Sequence, residues 1–202
     1  MNSAQIDQLA RVLQRIFDQD PHFNWLIRQD GGRTDAFLRL FQRLLREGEA
    51  QGEVLVSGQN EAVLIGFPPG AGELSFGKQL TFLWAYLPIS GWRSLVGRVW
   101  GIQKMAWHRP RQPHYYVQVI GVDSIHQRTG RGRTLLSRVF ARCDGQHWPL
   151  YLETANPLNL GFYKKLGFAI QNRYRLPGGL ELFGLMRMPL PLCAGGETAC
   201  AA

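Results

Sequence analysis

A glycine-containing turn between a strand and a helix constrains the fold of this chain more than any other feature. The apolar run Tyr115–Val122 predicts a strand, the turn follows at residues 127–132, and residues 150–153 predict a second, interior strand. The helix between the strands is predicted to bury Leu135, Leu136, Val139, Phe140 and Cys143. A strand–helix–strand unit that follows helices indicates an α/β domain with a mixed sheet.

The rest of the chain supplies the other predicted elements. Apolar residues at helical spacing indicate a first helix over residues 6–17, closed by Asp20 and Pro21, and a second helix capped by Thr34 or Asp35. Four more strands are predicted at residues 53–56, Ala62–Phe67, 168–171 and 180–186. A helix over residues 90–107 is predicted to bury Leu95, Val99, Ile102 and Ala106.

Length and composition fit one domain with a sizeable core. The chain has 202 residues, of which 45% are hydrophobic. We expect a single domain over residues 1–188. Residues 189–202 lack periodicity, and we predict that they form a disordered tail.

The formal net charge of +8 suits an anionic partner. Nucleic acid, an acidic membrane surface, a polyphosphate cofactor and an ordinary basic surface all agree with it. A nucleic-acid surface would interleave aromatic and basic side chains on one face, whereas the arginines here cluster near the turn. Charge alone favours an ordinary basic surface, and we expect no nucleic-acid partner.

No stretch of the sequence predicts a membrane segment. The richest apolar region, residues 80–102, contains Arg93 and Arg98, and residues 1–15 are polar and amphipathic rather than a cleavable apolar leader. We expect a cytoplasmic protein without a membrane partner.

Cysteine and histidine patterns give no sign of a metal centre or a thiol nucleophile. The three cysteines are odd in number and lack ligand spacing, and the five histidines show no paired spacing. No disulfide and no metal are expected. Cys143 lies on the apolar face of its helix, which favours a place in the core.

The turn has the residues of an anion-binding site. A helix N-terminus presents unpaired N–H groups and the positive end of its dipole. Gly130 and Gly132 allow close approach of a pyrophosphate, and Arg128, Arg131 and Arg133 add charge. An ordinary tight strand–helix turn would also explain the two glycines.

Two nucleotide-binding motifs fit less well. The P-loop ends in Gly-Lys-Ser/Thr, a triplet that is absent from the sequence. The Rossmann fingerprint needs a third glycine where Leu135 stands, although Glu153 lies about 20 residues past the turn, where a ribose-binding acid belongs.

These residues resemble the GCN5-related N-acetyltransferase (GNAT) superfamily. Its signature, Gln/Arg-x-x-Gly-x-Gly/Ala after a central strand, is matched by residues 127–132. Within the superfamily the chain is most similar to the puromycin N-acetyltransferase type, through the loop at 121–127 and the run at 152–168. Ser124 replaces the usual proline, and Arg128-Thr129 replaces a small or basic pair, so the phosphate contacts are expected to differ in detail.

The resemblance implies a fold and a reaction. The fold is a single-domain α/β structure whose central, mostly antiparallel sheet has two splayed middle strands and flanking helices. The reaction moves an acetyl group from acetyl-CoA to the primary amine of a small molecule by direct attack. The implied cofactor-binding residues are Ile120, Gly121, Val122, Gln127, Arg128, Thr129, Gly130, Arg131, Gly132, Arg133 and Asn159.

Tyr163 is the general acid that the resemblance implies, because it lies four residues after Asn159 in the matched run. As the acid it would protonate the departing thiolate of coenzyme A. A tyrosine that only packs against Phe162 and Phe168 would also fit its spacing.

Glu153 is the first candidate for the base that deprotonates the amine. A strand-end carboxylate that accepts hydrogen bonds from the loop near Asn156 is an equal alternative. Asp123, His114 and Asp20 are weaker candidates. Residues 20–25 lie where related enzymes often form one wall of the acceptor site.

Two further questions stay open at this point. A catalytically inactive acyl-CoA-binding sensor is the alternative function, although the retained Tyr163 argues mildly against it. The protein is expected to be a monomer or a homodimer.

Overall fold

Helices and strands follow one another in the predicted order. The computed structural model describes residues 1–71 and 86–190. Its helices are α1 (Ser3–Phe17), α2 (Pro21–Leu26), α3 (Arg33–Gln51), α4 (Leu95–His108), α5 (Arg131–Gly145) and α6 (Leu160–Lys165). Its strands are β1 (Glu53–Ser57), β2 (Ala62–Phe67), β3 (Tyr115–Val122), β4 (Leu150–Thr154), β5 (Ala169–Arg175) and β6 (Glu181–Arg187). The α/β class is confirmed; most of the predicted tail lies outside the described residues.

The six strands form one mixed sheet in the order β1-β2-β3-β4-β6-β5. Only β3 and β4 run parallel, and the other four pairs are antiparallel. The helix α5 makes the crossover between the two parallel strands, as a parallel pair requires. The expected mostly antiparallel sheet is confirmed.

A β-bulge in β3 separates the two parallel strands. Gly66 of β2 pairs with Val117 of β3 and Ile65 pairs with Val119, so Gln118 is an extra residue in β3. A bulge bends its strand and interrupts pairing. Accordingly, the pairing of β3 with β4 ends at Val117. Residues 118–122 and 153–154 then border an opening, which we call the β3–β4 gap.

Two hydrophobic clusters cover the two faces of the sheet. The first lies between the sheet and helices α1 and α3, with Leu13, Phe37 and Phe41 among its fully buried side chains. The second lies under α5 and includes Leu136 and Cys143. Burial raises the pKa of the Cys143 thiol to about 12, so this cysteine is a core residue, as predicted.

The predicted buried face of α4 is correct only in part. Leu95 and Ile102 pack, half-buried, against the first cluster, but the buried residues of the helix are Arg98, Gly101 and Met105, and Ala106 is exposed. Arg98 determines this orientation, because its guanidinium donates hydrogen bonds to the carbonyl oxygens of Trp25 (2.9 Å), Ile27 (2.6 Å) and Ser90. Satisfying these buried carbonyls compensates for the burial of Arg98 beside the half-buried side chains of Leu95 and Ile102.

The predicted role of Asp20 and Pro21 also needs correction. Helix α1 already ends at Phe17, and Asp20 and Pro21 begin α2 instead of closing α1. Asp20 is the N-cap, and Pro21 stands in the first turn, where its missing N–H costs nothing. Neither Thr34 nor Asp35 caps the next helix, since Gly32 is its N-cap.

Candidate active site

Side chains of the turn fix the chain between β3 and α5. Gln127 donates from Nε2 to the carbonyl of Val122 at 3.3 Å, and Thr129 donates from Oγ1 to the carbonyl of His126 at 2.6 Å. Asp123 caps the short 3₁₀ turn Ser124–His126. The turn is therefore held in shape without any ligand.

The backbone of this turn is shaped for an anion. Arg128 (φ 62°) and Gly130 (φ 85°) both adopt the left-handed conformation. Left-handed residues within a turn direct successive backbone N–H groups into one concavity, which can bind an anion. The first bond of α5 runs from the N–H of Thr134 to the carbonyl of Gly130 at 2.9 Å, so the preceding N–H groups of the helix have no intrahelical partner.

A small cavity lies against the turn. Its volume is about 170 Å³, and a Cβ added to Gly132 would lie 3.3 Å from Cγ2 of Val122 and 3.9 Å from Cζ of Phe162. The missing side chain thus leaves room for a phosphate close to the backbone. The lining residues are Val122, His126, Gln127, Arg128, Gly130, Arg131, Gly132, Arg133 and Phe162.

The three arginines of the turn differ in their surroundings. Arg128 and Arg133 are exposed, whereas Arg131 forms an ion pair with Glu61. His126 shares the same carboxylate, with Nε2 3.2 Å from Oε1. No local sequence pattern predicts Glu61 as a site residue. It belongs to the β1–β2 hairpin, and the pairing of β2 with β3 brings it beside the turn.

The other predicted cofactor-binding residues border the β3–β4 gap. Ile120, Gly121 and Val122 lie on the part of β3 that has no pairing with β4. A Cβ on Gly121 would come within 2.8 Å of the Phe17 ring, so α1 packs closely on this strand. Asn159 precedes α6 and donates to Thr154 Oγ1 at 3.4 Å.

Tyr163 lies on the α5 side of the sheet. Its ring packs against Phe162 and Phe168, with centroid distances of 5.2 and 5.5 Å, as in the packing alternative. Its hydroxyl makes no hydrogen bond within residues 1–71 and 86–190. Burial, and then the negative charge of Asp20, raise the pKa of this phenol, which therefore stays protonated at neutral pH.

Glu153 lies where the β3–β4 gap begins. Its side chain is on the face of the sheet opposite to Tyr163. It is the first residue of β4 past the last pair with β3, and its side chain is 2% exposed. Its carboxylate accepts hydrogen bonds from Tyr116 and Tyr151, at 3.3 Å each, and from Tyr174. The predicted partners near Asn156 are wrong, because three strands supply these hydroxyls.

Arg109 completes this polar cluster. Its guanidinium lies over the ring of Tyr116, 3.9 Å from the centroid, and its Nε is 4.0 Å from Oε2 of Glu153. Burial, and then the charge of Arg109, lower the pKa of His22 to about 4, so His22 is neutral at neutral pH. The cluster thus holds one buried carboxylate beside one guanidinium.

The weaker base candidates lie in different places. Asp123 caps its turn and faces Arg15 at 3.9 Å. His114 packs edge-on against Tyr151, with a centroid distance of 5.6 Å. Asp20 accepts N–H groups of α2 and acts electrostatically on Tyr163.

Residues 1–71 and 86–190 contain neither a candidate membrane-spanning helix nor a candidate metal cluster. No helix there is long and apolar enough to cross a membrane. No group of three histidine, cysteine or acidic residues within the same ranges is arranged to hold a metal ion.

Comparisons with known proteins agree with the strand-and-turn geometry. The acetyltransferase (GNAT) family model matches residues 78–168. A protein from Corynebacterium glutamicum, described as histone acetyltransferase HPA2 and related acetyltransferase, is similar with a TM-score of 0.70 at 18% identity over 96% of each chain. An N-acetyltransferase from Staphylococcus aureus gives 0.54 at 14% identity over 92% of this chain and 96% of its own.

A third similar structure is Naa20 from Chaetomium thermophilum in complex with a bisubstrate analogue. Its TM-score is 0.50 at 13% identity, over 89% of this chain and 81% of its own. At such identities the solved structures show a shared fold. The family match adds a similarity to acetyltransferases over residues 78–168, which include β3, the turn and β4.

Proposed function

We propose that this protein transfers the acetyl group of acetyl-CoA to the primary amine of a small molecule. The observation that carries the proposal is the combination of an anion-binding turn with a gap between two parallel strands directly before it. A pyrophosphate held at the turn would let a thioester arm enter the gap beside residues 120–122, which pair with β2 but not with β4.

The residues present fit the cofactor. The N–H groups at the start of α5 and the open space at Gly132 suit the diphosphate, with Gln127, Thr129 and the arginines 128, 131 and 133 around it. Ile120 and Gly121 would bind the pantetheine arm through the main chain. Asn159 would steady the end of β4 against α6.

Three groups would carry out the transfer, in which the amine attacks the thioester carbonyl directly. The N–H of Val122 would stabilise the oxyanion, a contribution typically worth about 10²–10³ in rate. Tyr163 would give its proton to the departing thiolate, since a phenol is protonated at neutral pH. Glu153 would take the proton of the amine through one of its tyrosine hydroxyls.

The acceptor class follows from the resemblance to the puromycin N-acetyltransferase type, which favours a small molecule over a protein substrate. Puromycin itself is not implied, because the acceptor site draws on the weakly similar first half of the chain. A cytoplasmic location and a monomeric or homodimeric state remain predictions from the sequence.

A panel of small primary amines tests the proposal. Free thiol released from acetyl-CoA is followed with each amine, and mass spectrometry identifies the acetylated product. We expect amine-dependent thiol release well above hydrolysis. Calorimetry in which neither acetyl-CoA nor coenzyme A binds the folded protein would exclude the proposal.

A further inference from the structure

An exposed apolar stripe runs along the outer face of α4. The inner face of this helix, with Arg98 and Met105, packs against the rest of the domain. On the opposite side lie Val96, Trp100 and Trp107, whose exposed fractions are 82%, 53% and 60%. Their spacing of four and seven residues puts them on one face of the helix, and we call these three residues the α4 stripe. Apolar side chains grouped in this way on a surface mark an interaction site.

The two tryptophans of the stripe contact each other rather than the core. Their ring centroids are 5.1 Å apart, and the rings meet edge to face at 86°. This contact limits the rotamers of both side chains while each indole stays more than half exposed. Side chains that are already ordered lose little conformational freedom when a partner covers them.

The stripe lies in a part of the chain that has no acidic residue. Residues 86–122 contain neither aspartate nor glutamate. Lys104 stands between the two tryptophans, four residues after Trp100 and three before Trp107, and Arg111 is exposed just after the helix. Neither cation makes an ion pair within residues 1–71 and 86–190. The surface therefore suits a partner that is negatively charged and can also take up apolar side chains.

An anionic bilayer surface combines these two properties. A helix with aromatic residues and cations lies in the plane of the interface, with its apolar side chains at the acyl boundary and its cations near anionic headgroups. Tryptophan suits this boundary, because its ring is apolar and its N–H is polar.

Two other partners fit the stripe less well. A second copy of the chain would bring two acid-free surfaces together, with no opposite charge between them. A nucleic acid would stack its bases on flat rings, but Val96 has no ring and the edge-to-face contact covers part of the indole surface.

We propose that the α4 stripe docks this protein on membrane surfaces that contain anionic lipids. Trp100 and Trp107 insert at the headgroup boundary, and Lys104 and Arg111 lie next to the lipid phosphates and carboxylates. The docking is weak and reversible, because apolar contact and charge have to act together to hold one helix face on a bilayer. It needs no spanning segment, whereas the expectation of no membrane partner concerned only spanning and leader segments.

Substitutions on the outer face of α4 test the docking without changing the core or the proposed active site. The double variant Trp100→Gln/Trp107→Gln removes most of the apolar stripe, and Lys104→Gln removes one charge. Ile170→Gln is the matched apolar control, since Ile170 is 55% exposed on the edge strand β5. Arg138→Gln is the matched charge control, on the exposed side of α5 across the sheet. Urea unfolding verifies that each variant is folded.

Vesicle binding is measured by co-sedimentation in the absence of acetyl-CoA, so the result does not depend on the proposed function. The vesicles contain phosphatidylcholine alone or equal parts of phosphatidylcholine and phosphatidylserine. The wild-type protein and both controls are expected to bind the mixed vesicles about tenfold or more tightly than phosphatidylcholine alone, and added salt should weaken that binding. On mixed vesicles the double tryptophan variant should lose about tenfold or more in affinity, and Lys104→Gln about fivefold.

Several results would overturn the inference. These are absence of wild-type binding to the mixed vesicles, equal binding to the two vesicle types, or unchanged binding in the double tryptophan variant. Without vesicle binding, a dimer in ultracentrifugation that this variant dissociates would assign the stripe to a second copy. Binding of single-stranded RNA that the same variant loses would assign it to a nucleic acid.

Discussion

At the scale of single residues, the ring and the hydroxyl of Tyr163 have different roles. The ring packs in the cluster under α5, while the hydroxyl has no partner in the described residues and lies within the electrostatic influence of Asp20. Packing alone would be preserved by phenylalanine. Removing the hydroxyl therefore tests the chemistry without disturbing the core.

Tyr163→Phe is expected to lower kcat by roughly 10²–10⁴ and to leave acetyl-CoA affinity nearly unchanged. Steady-state kinetics and calorimetry measure the two effects. Tyr115→Phe is the control, because its hydroxyl binds Glu53 at 2.5 Å on a paired part of β3. It should cost about 1 kcal/mol of stability and spare turnover. Wild-type turnover in Tyr163→Phe, with chemistry limiting the rate, would exclude the acid role.

Glu153 differs from an ordinary strand-end acid because three hydroxyls converge on it. If it is the base, Glu153→Gln should change the pH–rate profile and lower kcat at neutral pH by about 10²-fold or more. Glu181→Gln, at the half-buried start of β6 and paired with Arg173, is the matched control. A wild-type pH profile in Glu153→Gln would exclude Glu153 as the base.

At the scale of elements, the bulge at Gln118 links the sheet to the gap. Val117 packs in the cluster under α5, whereas Val119, two residues later, packs toward α1 and α3. The extra residue therefore inverts the alternation of β3 and ends its pairing with β4. The turn and the gap consequently follow each other along one strand.

One added methyl group can test whether the start of α5 binds the phosphates of acetyl-CoA. Gly132→Ala puts a Cβ into the cavity 3.3 Å from Val122, so acetyl-CoA affinity should fall about tenfold or more. Stability should hold or rise slightly, because alanine suits a helix better than glycine. Gly145→Ala, at the other end of the helix with open space around it, is the control. Equal acetyl-CoA affinity in both variants would exclude this turn as the phosphate-binding site.

Local patterns in the sequence predicted the strands and the turn well. The bounds of β2 and β3 were correct, since alternation, flanking prolines and glycines mark them. The bulge left no such mark, because it depends on the register with β2. The sequence patterns did not predict the polar cluster around Glu153. Its hydroxyls come from Tyr116, Tyr151 and Tyr174, on three strands that meet only in the folded sheet.

At the scale of the whole molecule, the site joins elements from most of the chain. Asp20 comes from the first helices, Glu61 from the first hairpin, and Glu153 and Tyr163 from the second half. Binding at such a site is coupled to the stability of the complete domain, because unfolding any part of it destroys the site.

Acetyl-CoA should therefore stabilise the whole domain against unfolding. At a free concentration of 100 times its Kd, the free energy of unfolding should rise by about 2.7 kcal/mol. Urea unfolding followed by tryptophan fluorescence measures the change, and adenosine, which lacks the diphosphate, is the control. A midpoint that stays constant as acetyl-CoA is added would contradict binding at the turn.

The ion pair of Arg131 with Glu61 affects how the spent cofactor departs. Glu61 already neutralises part of the positive charge of the turn, so the electrostatic attraction of the turn for a diphosphate is weaker than three unpaired arginines would give. We expect coenzyme A to dissociate readily after each cycle. Glu61→Gln should therefore slow the dissociation of coenzyme A enough to make it the rate-limiting step.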